Sequence, residues 1–110
     1  DVMPGAEEAI SYLNEHHEVF IASTPPWSRI QVWADKRAWL ERWFPDLKRK
    51  LILTHRKDLL IGDVLIDDSS YRGQPNFKGT WIWFGTKNYP RVVDWKDCLE
   101  IIKSMENEKI

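Results

Sequence analysis

Three short apolar runs in this 110-residue chain lead into groups able to handle a phosphate. The run at residues 19–22 leads into Ser23-Thr24. A second, at 51–53, leads through Thr54, His55 and Arg56 to Lys57, and a third, at 64–66, ends in Asp67-Asp68. Hydroxyls and backbone N–H groups hold phosphate oxygens, and an ammonium supplies a point positive charge. Carboxylates hold Mg²⁺ through oxygen. Together the set suits a phosphorylated ligand with a divalent cation. Each part also has an ordinary reading. Ser23-Thr24 before Pro25-Pro26 suits a turn, Lys57 between Arg56 and Asp58 suits a solvated charge cluster, and Asp67-Asp68 suits a helix cap or a solvated strand end.

For these groups to meet, the runs before them must be neighbouring strands. Short apolar runs bounded by polar and turn residues mark strands buried on both faces, as in parallel sheets. A fourth such run lies at 81–84. Helices are predicted between them. After Pro4-Gly5, the residues Ala6, Ala9, Ile10 and Leu13 recur at three- and four-residue steps, with Glu7, Glu8, Asn14 and Glu15 on the other face. Trp39, Leu40 and Trp43 mark a helix over 28–44 that Pro45 ends. Asp94 can cap a last helix carrying Trp95, Cys98, Leu99, Ile102 and Met105 on one stripe, with a tail expected to fray from residue 106. Residues 69–79, with Gly73, Pro75 and Gly79, read as a loop. Helices alternating with short apolar strands indicate a parallel α/β sheet, whose ligands sit beyond the carboxyl ends of its strands.

The chain is of single-domain length. Its 16 Lys and Arg balance 17 Asp and Glu, for a formal net charge of −1. That balance argues against a nucleic-acid polymer or a membrane surface as partner. No apolar run approaches the ~20 residues of a membrane span, and no signal-peptide pattern is present. The single cysteine, Cys98, excludes an internal disulfide and fits a reducing, cytoplasmic setting.

The order Ile21-Ala22-Ser23-Thr24-Pro25, then Lys57, then Leu65-Ile66-Asp67-Asp68 resembles the second, third and fourth motifs of haloacid-dehalogenase-type phosphatases, and more narrowly of the 5′(3′)-deoxyribonucleotidases and their bacterial relatives. The stretch Asp35-Lys36-Arg37-Ala38-Trp39, the pair Trp43-Phe44, the Leu53-Thr54 step, the Lys57-to-Asp67 gap and Pro4-Gly5-Ala6 extend the resemblance over nearly the whole chain. It implies a three-layer α/β fold around a parallel sheet, and a Mg²⁺-dependent phosphatase acting on nucleoside monophosphates. In such enzymes one Asp attacks phosphorus to give an aspartyl-phosphate, and a second, two positions on, serves as general acid and base. The catalytic residues carried by this chain would be Ser23, Lys57 and Asp67. Ser23 would hydrogen-bond the phosphoryl group, and Thr24 would contribute its hydroxyl or backbone N–H. Lys57 would neutralise developing charge, and Lys36 would be a second phosphate contact. Asp67 would hold Mg²⁺, with Asp68 supporting the metal shell.

Two features depart from that pattern. The family often has Arg-Pro after its Asp pair, where this chain has Ser69-Ser70, with Arg72 nearby as a substitute. No Asp-x-Asp occurs in the 110 residues. The family's first-motif strand carries that nucleophile and lies between the strands ending at Ser23 and Asp67; a small helical cap that recognises the base also precedes the matching stretch. The expectation is therefore of the C-terminal part of a phosphatase core domain, residues 1–110, lacking that strand and the cap. An upstream segment or a second copy, as in a homodimer, would complete the sheet. The alternative is a non-catalytic phosphate-binding or structural module. Of the 7 tryptophans, Trp39, Trp43 and Trp95 are expected to pack in the core and Trp27 is the candidate for a wall near the ligand. Trp81 and Trp83 would cover an edge strand or meet a partner. His16, His17 and His55 read as surface or helix-end residues, and Cys98 as a core thiol.

Overall fold

The computed structural model describes residues 4–85 and 94–108. The order is α1 (Ala6–His16), β1 (Ile21–Ser23), α2 (Ile30–Trp43), β2 (Leu51–Leu53), β3 (Val64–Asp67), β4 (Thr80–Trp83) and α3 (Trp95–Glu108), with short 3₁₀ turns at Pro45–Leu47, Lys57–Leu59 and Gln74–Asn76. The α/β alternation read from the sequence is present. The strands pair in parallel, β1 with β2 in the register Ala22↔Ile52 and β3 with β4 in the register Ile66↔Ile82. They form two separate two-stranded sheets, and no ladder joins β1 to β3 among the described residues.

That division changes one expectation. The apolar runs suggest strands buried on both faces, yet every residue of β1 and β2 is half-buried. A two-stranded sheet has only edge strands, so neither strand is enclosed by neighbours. The first run also enters the sheet late. Phe20 is exposed beneath the Lys50 ammonium, and pairing begins where the Ile21 N–H reaches the Lys50 carbonyl.

Two apolar clusters hold the elements together. Leu13, Ile82, Phe84, Cys98 and Ile102 form one, between α1, α3 and β4. Ile10, Leu40, Phe44 and Leu47 form the other, between α1, α2 and the turn that Pro45 opens. Val19 and Trp95 pack against both clusters. The three- and four-residue spacing on α1 explains the arrangement, because Ile10 and Leu13 lie on one helix face and each feeds a different cluster. Trp39 and Trp43 pack against the second cluster, as their stripe predicts.

The C-terminal helix runs further than expected. Asp94 caps it through Oδ1, which accepts the Asp97 N–H at 2.9 Å. Its end does not fray at residue 106. Glu106 instead accepts the Tyr12 hydroxyl at 2.9 Å and contacts His17 Nε2, tying α3 back to the end of α1. The His17 contact, reinforced by Tyr12 against the opposing effect of burial, holds the Glu106 carboxyl below its usual range. A polar side chain near a chain end gives no periodic sign of such a partner.

Cys98 is fully buried, and burial pushes its thiol up to about 12. Reaction with Ellman's reagent at pH 8 should therefore be more than about tenfold slower in the native protein than in urea. Equal rates would mean that the α1–α3–β4 cluster is not closed.

Candidate functional site

Asp67 ends β3, and its neighbourhood is built by the loops that follow β2 and β3. The turn at Lys57–Leu59 begins where the Lys57 N–H reaches the Arg72 carbonyl at 2.7 Å. This anchor buries the lysine stem and brings Nζ to 2.5 Å from Asp67 Oδ2, with the two side chains only 6% and 11% exposed. Gln74 Nε2 donates to the same oxygen at 3.1 Å, and the Ser69 N–H donates to Oδ1 at 3.1 Å. Burial alone would raise the Asp67 carboxyl; the bonds from Lys57, the Ser69 N–H and Gln74 outweigh it and hold the group below its usual range. The carboxylate is thus kept ionised in a site where an unpaired charge would be expensive.

Gln74 is oriented in turn. Its Oε1 accepts the Arg72 N–H at 2.7 Å, so its amide nitrogen must face the carboxylate. Gly73 makes this possible. Its φ is +93°, and a Cβ there would lie 2.4 Å from Asp58 Oδ1 and 2.9 Å from the Asp58 nitrogen. Asp58 is fixed by Arg56 Nε and Nη2, which donate to its two oxygens at 2.8 and 2.6 Å. From β4, Trp81 Nε1 donates to the Asp67 carbonyl at 3.2 Å and Trp83 Nε1 to the Asp68 carbonyl at 3.1 Å. The two indoles stack with centroids 4.9 Å apart. They hold the backbone of the acidic pair while Ile82, between them, points into the core.

Ser23 ends β1 and Thr24 follows it. The Ser23 carbonyl accepts the Thr54 N–H at 2.9 Å, and Thr24 Oγ1 donates to the Thr54 carbonyl at 2.8 Å. Thr54 Oγ1 then accepts the Arg56 N–H at 3.0 Å, one residue before Lys57. The carboxyl ends of β1 and β2 are therefore laced together, and Lys57 bridges from them to the end of β3. The Thr24 hydroxyl proton is thus committed to the Thr54 carbonyl.

The structure places the residues expected from the sequence in different degrees of proximity. Lys57 and Asp67 are in direct contact. Ser23 and Thr24 lie one hydrogen-bonded loop away. Asp68 is exposed beside Asp67. Lys36, half-buried on α2, takes no part in the network. Arg72 serves the site through its backbone, while its guanidinium lies over the Tyr71 ring at 4.6 Å. Sequence reasoning missed Gln74 and the backbone-holding roles of Trp81 and Trp83. The Gly73-Gln74-Pro75 order marks a turn but does not show that Gln74 faces the Asp67 carboxylate. For the indoles, only their alternation with Ile82 was visible.

Among the described residues no group of three or more His, Cys, Asp or Glu side chains converges on one point. The adjacent carboxylates Asp67 and Asp68 are hard oxygen donors, and Mg²⁺ commonly takes only one or two protein carboxylates, with water and phosphate completing the shell. The donor set present here fits that pattern.

Comparison with known proteins places this chain in a family. Residues 1–107 match the family described as 5′ nucleotidase, deoxy (Pyrimidine), cytosolic type C protein. The chain belongs to that family. A Vibrio phage KVP40 protein, provisionally named a 5′(3′)-deoxyribonucleotidase, is 43% identical over 103 residues, covering 93% of this chain and 59% of the phage protein. A Staphylococcus epidermidis protein with the same provisional name is 33% identical over 113 residues, 96% of this chain and 62% of its own length. The human cytosolic-type 5′(3′)-deoxyribonucleotidase is 34% identical over 76 residues, 66% of this chain and 38% of the human protein. The chain spans about three fifths of the length of the phage and staphylococcal relatives.

Replacing Gly73 by Ala should destabilise the fold by about 1–3 kcal/mol, because an L side chain at that φ is strained and meets the Asp58 backbone. Urea unfolding measures it, and a loss below about 0.5 kcal/mol would show that the loop yields without cost.

Proposed function

We propose that this chain forms part of a phosphatase that dephosphorylates deoxyribonucleoside monophosphates, and that the remaining machinery comes from protein outside these 110 residues. The observation that carries the reading is the buried Lys57–Asp67 pair at the carboxyl ends of the strands, laced through Thr54 to Ser23 and Thr24. Its support is the family match and the names of the relatives.

In this reading Ser23 and the Thr24 N–H bind the non-bridging phosphoryl oxygens. Lys57 stabilises the charge that gathers on those oxygens and on the attacking carboxylate, and costs no reorganisation because Asp67 already fixes it. Asp67 and Asp68 would hold Mg²⁺, which when bound neutralises phosphate charge and orients it for in-line attack. Lys36 supplies a further positive charge to phosphate from α2. The attacking Asp and its acid–base partner lie on an upstream strand that pairs between β1 and β3. Such a strand would also give partners to edges that the two separate sheets leave without a common ladder. An upstream segment is favoured over a second copy because the relatives are longer than this chain. No helix among the described residues is long and apolar enough to cross a membrane. With one buried thiol and a human relative named as cytosolic type, the protein is read as cytoplasmic.

The test is phosphate release from deoxyribonucleoside monophosphates with Mg²⁺, using the product of the complete gene. Asp67→Asn should lower kcat by about 10²-fold or more, and chelation of Mg²⁺ should abolish turnover. Absence of phosphate release from the wild type, or release indifferent to Asp67→Asn, would favour the non-catalytic module.

A further inference from the structure

Beside the phosphate-binding loops lies an aromatic cluster that the proposed chemistry does not use. Trp27 follows Thr24 by three residues, Trp33 lies in the first turn of α2, and His55 lies between Thr54 and Lys57. Their rings are mutual neighbours, with centroid separations of 5.9 Å for Trp27–Trp33, 6.1 Å for Trp27–His55 and 5.7 Å for Trp33–His55. Trp33 Nε1 donates to the Pro26 carbonyl at 3.0 Å, which fixes the inner ring against the loop that carries Trp27. Pro25 is fully buried and anchors the same loop between Thr24 and the cluster.

Trp27 itself is 80% exposed. Its two ring contacts are edge-on, at interplanar angles of 79° and 72°. Support of this kind fixes the ring, and at that exposure ring surface stays open for a further flat partner. Trp27 is thus fixed by its neighbours without being enclosed by them among the described residues.

We propose that Trp27, backed by Trp33 and His55, is the stacking platform for the nucleobase of the substrate, an inference that rests on the phosphatase reading above. The chain arrangement sets the reach. The Trp27 Cα lies within ~10 Å of that of Thr24, since three residues span no more than that. A phosphate held by Ser23 and the Thr24 N–H therefore leaves its sugar and base at the distance of this cluster. The surface offers π faces and few directional hydrogen-bond groups, so it favours a flat base without choosing strongly among bases. Trp27 is thus a specificity residue for nucleotides over smaller phosphate esters.

The test compares hydrolysis of thymidine 5′-monophosphate and of deoxyribose 5-phosphate, which lacks a base, by the complete gene product. Trp27→Ala should raise KM for the nucleotide about tenfold with kcat little changed, and leave KM for deoxyribose 5-phosphate unaltered. Trp27→Phe should recover part of the loss. Equal effects on the two substrates, or no effect on the nucleotide, would overturn the platform. If the wild type hydrolyses neither compound, the phosphatase reading falls on its own. The platform is then judged by equilibrium binding, which Trp27→Ala must weaken for thymidine 5′-monophosphate and leave unchanged for deoxyribose 5-phosphate.

Discussion

A lysine ammonium and an aspartate carboxylate, both largely withdrawn from water, are held 2.5 Å apart where two small sheets come together. Neither charge would be tolerated there alone, since desolvation of one ion costs several kcal/mol. The arrangement survives because Asp67 takes two further N–H donors and the lysine backbone is pinned to Arg72. Everything at the rim follows from this demand. Gln74 must be buried to reach the carboxylate, Gly73 must adopt a left-handed backbone to let it, and the indoles of Trp81 and Trp83 must hold the carbonyls of the acidic pair.

The same pair has a mechanical consequence. β1–β2 and β3–β4 share no ladder among the described residues, so the relation between Ser23 and Asp67 depends on other contacts. On one side of the sheets, α1 provides them through Ile10 and Leu13, with Val19 and Trp95 spanning both clusters. At the carboxyl ends, the loop carrying Lys57 provides them. A site built this way is oriented before any ligand arrives, and under the phosphatase proposal that is what electrostatic stabilisation of a phosphoryl group requires.

Much of this was legible in the residues. The alternation of apolar runs with helical stripes sets the α/β pattern, and Ala9, Ile10 and Leu13 mark the inner face of α1. Ser23, Lys57 and Asp67 stand out because each ends or follows an apolar run that forms a strand. The rest was hidden for physical reasons. Gln74 sits in a segment with no periodicity, and its role depends on a distant carboxylate. The tie of Glu106 to Tyr12 and His17 joins opposite ends of the chain. His55 reads as a surface residue until the loops bring it against Trp33. The half-burial of β1 and β2 reflects how strands pair, which a run of apolar residues does not report.

A double-mutant cycle on Lys57→Met and Asp67→Asn, read by urea unfolding, tests the interaction at the root of this arrangement. Each single replacement should destabilise the protein, and the two together should cost less than their sum by about 1.5 kcal/mol or more. Additivity within about 0.5 kcal/mol would mean that the two side chains do not hold each other, and the preformed rim would have to be abandoned.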